Sequence, residues 1–199
     1  MKKVVFLFLT AIFVFSFFLS VFAEEYDWNK IINDEAEAKK LYQKAVDFTK
    51  QMKMNVDRDI YMRFEEPEHI KVHASNGGRS GENVFAFYRP MGPELIFMPK
   101  GATAIDFYTA AVHELTHAWN SSNCPPQDRS VNEGLSKWME FMSCMAVGKR
   151  GKAGRILYES SVRDPIEYKV VQKLMQLYKK GGIDSVKQYV KTTYRYEDK

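Results

Sequence analysis

The sequence predicts an α+β domain, ordered as one helix, a small sheet and then a run of helices. Three observations carry this. An amphipathic stretch follows the N-terminal leader, the middle of the chain breaks into short apolar runs between turn residues, and from Thr103 onward the pattern is helical. The chain holds no internal repeat and no heptad pattern.

The leader comes first in the chain. Lys2 and Lys3 precede an uncharged run from Val4 to Phe22, and Val21-Phe22-Ala23 is followed at once by the acidic pair Glu24-Glu25. That is the three-part layout of a secretory signal peptide cleaved after Ala23. The chain then divides into a signal peptide over 1–23 and a single domain over 24–199. The apolar run is close to spanning length, so an uncleaved membrane anchor is the alternative. Cleavage implies an exported protein, secreted or periplasmic, with no stable membrane insertion. Removal of Lys2 and Lys3 takes the formal charge from +4 to +2, which argues for no polyanionic partner. The basic cluster Lys149, Arg150, Lys152 and Arg155 is punctuated by Gly148, Gly151 and Gly154 and reads as a solvated loop, so nucleic acid is not expected as a partner.

The elements follow in order. Trp28 to about Met52 reads as an amphipathic helix, with Ile31, Ala38, Leu41, Ala45, Phe48 and Met52 at helical spacing. Ile60–Phe64, Ile70–Ala74, Val84–Tyr88 and Leu95–Met98 are strand candidates, separated by Pro67, Asn76-Gly77-Gly78, Pro90 and Gly92-Pro93. Thr103 and Asp106 suit the start of a helix over Ala104 to Asn120, which the polar run Asn120–Asn123 and Pro125-Pro126 end. A second helix is expected from Ser130 to about Val147. A third runs from Pro165 to Tyr178 and is stopped by Gly181-Gly182, with a short one from Asp184. Cys124 and Cys144 are the two cysteines. In an exported protein an even count favours one disulfide, here pinning the loop before the second helix to a point about three turns along it. Two unpaired thiols are the alternative.

His113-Glu114-Leu115-Thr116-His117 carries the chemistry. Residues four apart lie one turn along the same helical face, so both imidazoles can reach one metal ion. Glu114 is rotated about 100° from His113 and can act as general base without ligating. A catalytic zinc needs a third protein ligand, and Glu133 is the candidate, completing a two-His, one-Glu set. Ser130-x-x-Glu133 is also a capping box, which would occupy that carboxylate, and Asp128 is then the fallback ligand. His69 and His73 are also four apart but are read on a strand, where about 13 Å would separate them, so they are expected to be surface or edge residues. Trp119 and Trp138 are assigned to packing. Tyr168 is a candidate donor to an oxyanion, with ordinary burial as its alternative.

The stretch Ala111-Val-His-Glu-Leu-Thr-His-Ala-Trp119 and then Val131-Asn-Glu-Gly-Leu135 resembles the peptidase domain of the plant growth-regulating, ubiquitin-activated (DA-one) peptidases. The similarity continues through Arg163–Lys169 and Tyr178–Tyr189, and back to the helix near Tyr42 to Met54. Only the metal motif is sharp. The resemblance implies a zincin-like (gluzincin) fold, a small mixed sheet over the His-Glu-x-x-His helix with further helices below. It implies a zinc metallopeptidase with Zn2+ on His113, His117 and Glu133 and catalysis by Glu114. A ubiquitin-interacting segment and a cysteine-rich LIM module are absent from the sequence, so the plant substrates and their control do not transfer. The partner expected is a peptide or protein substrate. In the resembled fold the segment Glu94–Pro99 forms a sheet edge onto which an extended peptide can pair; a buried central strand is the alternative. The rival functions are a zinc-binding, catalytically silent secreted module and a metal-free secreted interaction domain.

Overall fold

The computed structural model describes residues 26–76, 84–90 and 93–196; the signal peptide and cleavage site expected from the sequence lie outside them. Five strands and six helices occur among these residues. In chain order they are β1 (Ile31–Ile32), α1 (Glu35–Gln51), β2 (Tyr61–Glu65), α2 (Pro67–Asn76), β3 (Phe87–Arg89), β4 (Leu95–Pro99), β5 (Ala102–Thr103), α3 (Ala104–Asn123), α4 (Arg129–Ala146), α5 (Arg150–Arg163) and α6 (Pro165–Thr192). The fold is α+β and mostly helical, with a small mixed sheet.

The first helix starts seven residues later than its pattern suggested, at Glu35. Asp34 caps it, its side chain accepting the Glu37 N–H at 2.9 Å. The preceding Ile31 and Ile32 are β-branched and pair antiparallel with Thr103 and Ala102. Trp28 stays buried without helix, its ring 5.2 Å from that of Tyr108.

The three-stranded sheet has the order β2-β4-β3, with β2 parallel and β3 antiparallel to β4. The strand at 95–99 is therefore central, which corrects the reading of it as a substrate-binding edge. Every residue of β4 is buried, the continuous apolar pattern of a strand covered on both faces. Ile96 and Met98 enter the main core, whereas Leu95 and Phe97 meet a smaller cluster with Ile70, Ala74 and Phe87.

That smaller cluster explains a second correction. Residues 70–74 are helix, not strand. Pro67 suits a first helical position, and Ile70 and Ala74, one turn apart, both point into the sheet face. His69 and His73 thus sit one turn apart on α2. His73 Nε2 is 3.2 Å from the Glu65 carboxylate and its ring lies 4.7 Å from that of Phe97. It is occupied by structure, and no metal cluster forms there among the described residues.

Helix α3 runs through the middle, packed against α1, the sheet and α4, while α4 packs on α5 and α6. Its start is fixed from outside: the Ala104 and Ile105 N–H groups donate to the Lys30 and Trp28 carbonyls at 2.8 and 3.0 Å. Thr103 caps it through the Asp106 N–H. Trp119 and Trp138 are buried, as packing residues should be. The basic segment 149–155 is not a loop but the first turns of α5; Gly148, in the left-handed region at φ 74°, ends α4, and Gly151 and Gly154 lie on the exposed side of the next helix. The break expected at Gly181-Gly182 is present, with Gly182 at φ 65° and ψ −160° between two helical halves of α6.

Cys124 and Cys144 are both free thiols. Cys124 is the C-cap of α3, while Cys144 lies by Asp106 and Tyr108 at the opposite end of that helix. The intervening rise is about 1.5 Å per residue, so the two lie well beyond the roughly 7 Å a disulfide tolerates. Burial pushes the Cys144 thiol up to about 12. No described helix is long and apolar enough to cross a membrane.

Candidate metal centre

His113 and His117 face the same way from the buried middle of α3, one helical turn apart. Residues 124–128 turn the chain so that α4 returns alongside. Glu133, at the first turns of α4, then meets both rings. The Nε2 atoms of His113 and His117 are 2.9 Å apart, and Glu133 Oε2 lies 3.3 and 3.6 Å from them. Tetrahedral zinc with ligands near 2.0–2.1 Å separates its ligand atoms by about 3.3 Å, so the three distances bracket the spacing required. Together they form a group that can hold a metal ion, and among the described residues no other such group occurs.

Glu133 is free for this role because the capping box does not form. Asp128 is the N-cap of α4, its carboxylate accepting the Val131 N–H at 3.0 Å. The fallback ligand is therefore the cap, and Ser130 lies inside the helix. Burial would raise the Glu133 carboxyl, but the two imidazoles hold it well below the usual carboxylate range.

The same face of α4 supplies the surroundings. Asn132 Oδ1 is 3.0 Å from His117 Nδ1 and Ser136 Oγ is 3.3 Å from it. Glu140 Oε2 lies 3.6 Å from His113 Nδ1, beyond hydrogen-bond reach, and accepts from Lys137 Nζ at 2.7 Å. Burial lowers the His113 imidazole and the Glu140 and Glu133 carboxylates raise it, the carboxylates prevailing; burial raises Glu140 while Lys137 and His113 draw it down. Sequence reasoning missed Asn132, Ser136, Lys137 and Glu140. The signal was present: Ser136, Lys137 and Glu140 stand three, four and seven residues after Glu133, on one helical face.

Glu114 is buried, and its Oε2 has no hydrogen-bond partner. Tyr168 is half-buried on the first turns of α6 and is not among the three residues that converge. That turn packs directly on α4 at Gly134, the residue after Glu133, since a Cβ there would stand 2.6 Å from Val170 Cγ1 and 3.3 Å from the Glu167 carbonyl. Burial raises the Glu167 carboxyl, which accepts from Ser160 Oγ at 3.0 Å. Comparison with protein-family models, with curated proteins and with solved structures finds no match.

Proposed function

We propose that the chain is an exported zinc metallopeptidase that hydrolyses peptide bonds in a peptide or protein substrate, with Zn2+ on His113, His117 and Glu133 and Glu114 as general base. The observation that carries this reading is the convergence of three ligand atoms, two of them on the helix that also carries, directly after His113, a buried carboxylate whose Oε2 has no hydrogen-bond partner. Two imidazoles and one carboxylate are a donor set suited to zinc. Bound there, zinc supplies Lewis acidity and makes water acidic enough to be used near neutral pH.

The chain's own residues do the rest. Glu114 follows His113 directly and is buried with an Oε2 that has no hydrogen-bond partner; as general base it would accept a proton and return it to the leaving amine. Asn132 and Ser136 orient His117, and Glu140, anchored by Lys137, lies behind His113. Tyr168, half-buried on the first turns of α6, is the candidate donor to the oxyanion.

The test pairs a metal assay with a peptide-library screen. Protein lacking the leader should carry about one zinc per chain. Glu114→Gln keeps both imidazoles and should retain that zinc, while cleavage falls by about 10²- to 10⁴-fold. Equal cleavage by variant and wild type removes Glu114 as the base. Zinc uptake with no cleavage by wild type supports the silent binding module instead.

A further inference from the structure

The end of α6 reaches the metal centre through side-chain amides. Gln127, in the connection between α3 and α4, donates through Nε2 to the Val190 carbonyl and to the Thr193 carbonyl at 3.1 Å. Its Oε1 accepts from Asn120 Nδ2 at 2.8 Å. The second Asn120 N–H goes to Asn132 Oδ1, also at 2.8 Å, and that oxygen is the one facing His117 Nδ1 at 3.0 Å.

Only one direction of donation fits this chain of contacts. Val190 and Thr193 present carbonyls, near a helix end where carbonyls lack intrahelical partners, and a carbonyl can only accept. Gln127 must therefore turn its NH2 toward them and its oxygen toward Asn120. Asn120 must answer with its NH2, and both of its protons are then spent. Its own Oδ1 is left buried and without a partner, as this polarity requires. Asn132 consequently offers His117 an acceptor. Nδ1 must carry the proton, and the lone pair of Nε2 faces Glu133 and His113.

We propose that the Val190 and Thr193 carbonyls set the tautomer of His117 through Gln127, Asn120 and Asn132, making these three amides positioning residues that hold Nε2 open for a metal. The inference rests on the metallopeptidase reading for its purpose but not for its geometry. The same stretch also ties the cap of α4, since the Asp128 N–H donates to the Tyr194 carbonyl at 2.9 Å. The end of α6 thereby acts on both sides of the site: on the orientation of one ligand and on the helix that carries another.

The test reads the tautomer directly. Long-range proton–nitrogen spectra of the imidazoles in ¹⁵N-labelled, metal-free protein should show His117 protonated at Nδ1. Asn120→Asp places a carboxylate where two N–H donors stood, so Asn132 must turn its NH2 to it or to the ring. His117 should then move its proton to Nε2, and zinc affinity, read by chelator competition, should fall by about 10- to 100-fold. Gln127→Lys, in the connecting loop, puts a donor where the Oε1 that accepts from Asn120 stood, so Asn120 must turn its Oδ1 to it; the variant should act in the same direction and carries the test if Asn120→Asp does not fold. Wild-type His117 protonated at Nε2, or Asn120→Asp and Gln127→Lys indistinguishable from wild type in both readouts, overturns the proposal. Wild type that takes up no zinc yet shows the tautomer and its switch leaves the relay standing and removes the metallopeptidase reading.

Discussion

Two acidic residues compete on paper for the third ligand position, and local backbone chemistry separates them. The N-terminal N–H groups of α4 need an acceptor, and Asp128 supplies it. Glu133 is thereby released to face the imidazoles at 3.3 and 3.6 Å. Glu133→Ala should lose zinc retention strongly, read by metal content after gel filtration. Asp128→Ala should keep the zinc but cost about 1 kcal/mol of unfolding stability, the usual loss of a helix cap. Zinc held as tightly by Glu133→Ala as by wild type would return the third-ligand role to another residue. At this scale the motif residues were legible because two histidines and a glutamate at fixed helical spacing require no tertiary knowledge. Asn120, Gln127 and Asn132 were not, because their partners lie on other elements and polar residues near helix ends have ordinary local uses.

Elements were legible where one periodicity dominated and illegible where neighbours decided. Helix α3 and the glycine break in α6 match expectation, but α2 is short and its two buried residues fit a strand or a helix equally well until the sheet beneath them is known. Helix α5 was hidden by its glycines, which weaken a helix without preventing one that tertiary packing supports. Gly134 is where packing decides most sharply. Gly134→Ala would bring a Cβ to 2.6 Å from Val170 Cγ1, forcing α4 and α6 apart. A loss of about 1–3 kcal/mol in denaturant unfolding is expected, and adding Val170→Ala should recover only part of it, because Val170 Cβ itself would stand 2.7 Å away; no loss in Gly134→Ala would show that the two helices tolerate the added methyl. The α3 start gives a pH prediction. Burial raises the Asp106 carboxyl, but Lys152 at 2.5 Å and the Thr103 hydroxyl at 2.6 Å outweigh it, so the folded value lies below the ordinary one. A depressed folded pKa adds stability above the unfolded value of about 3.9 and loses it as pH falls through the folded value. Asp106→Asn should therefore cost about 1 kcal/mol at pH 7 and progressively less below pH 4, and an equal cost at pH 2 and pH 7 would exclude the ion pair as its source.

At the scale of the whole molecule, what holds the fold is separate from the group that could hold a metal ion. The core joins α1, α3, α4 and α6 through buried apolar residues such as Leu41, Phe107, Leu135, Trp138 and Leu174, none of which needs an ion to pack. The three residues that could hold a metal ion lie on two helices already fixed by that core, by the Thr103 and Asp128 caps and by the end of α6. Chelation should accordingly leave the helical circular dichroism at 25 °C almost unchanged, unlike a small domain that folds only around its metal. Zinc in excess should still raise stability by mass action, by about 2.7 kcal/mol at a hundredfold over Kd. For a domain of this size that corresponds to a rise of roughly 5–10 °C in Tm. The increment should depend on pH with a definite sign. Metal binding requires neutral imidazoles, and without metal the surrounding carboxylates favour the charged form of His113. Protons therefore compete with zinc more strongly as pH falls, and the rise in Tm should be largest near pH 8 and fade toward pH 5. Loss of helix on chelation would make the metal a structural requirement, and a Tm increment that grows on acidification would show that zinc is held by groups other than these histidines.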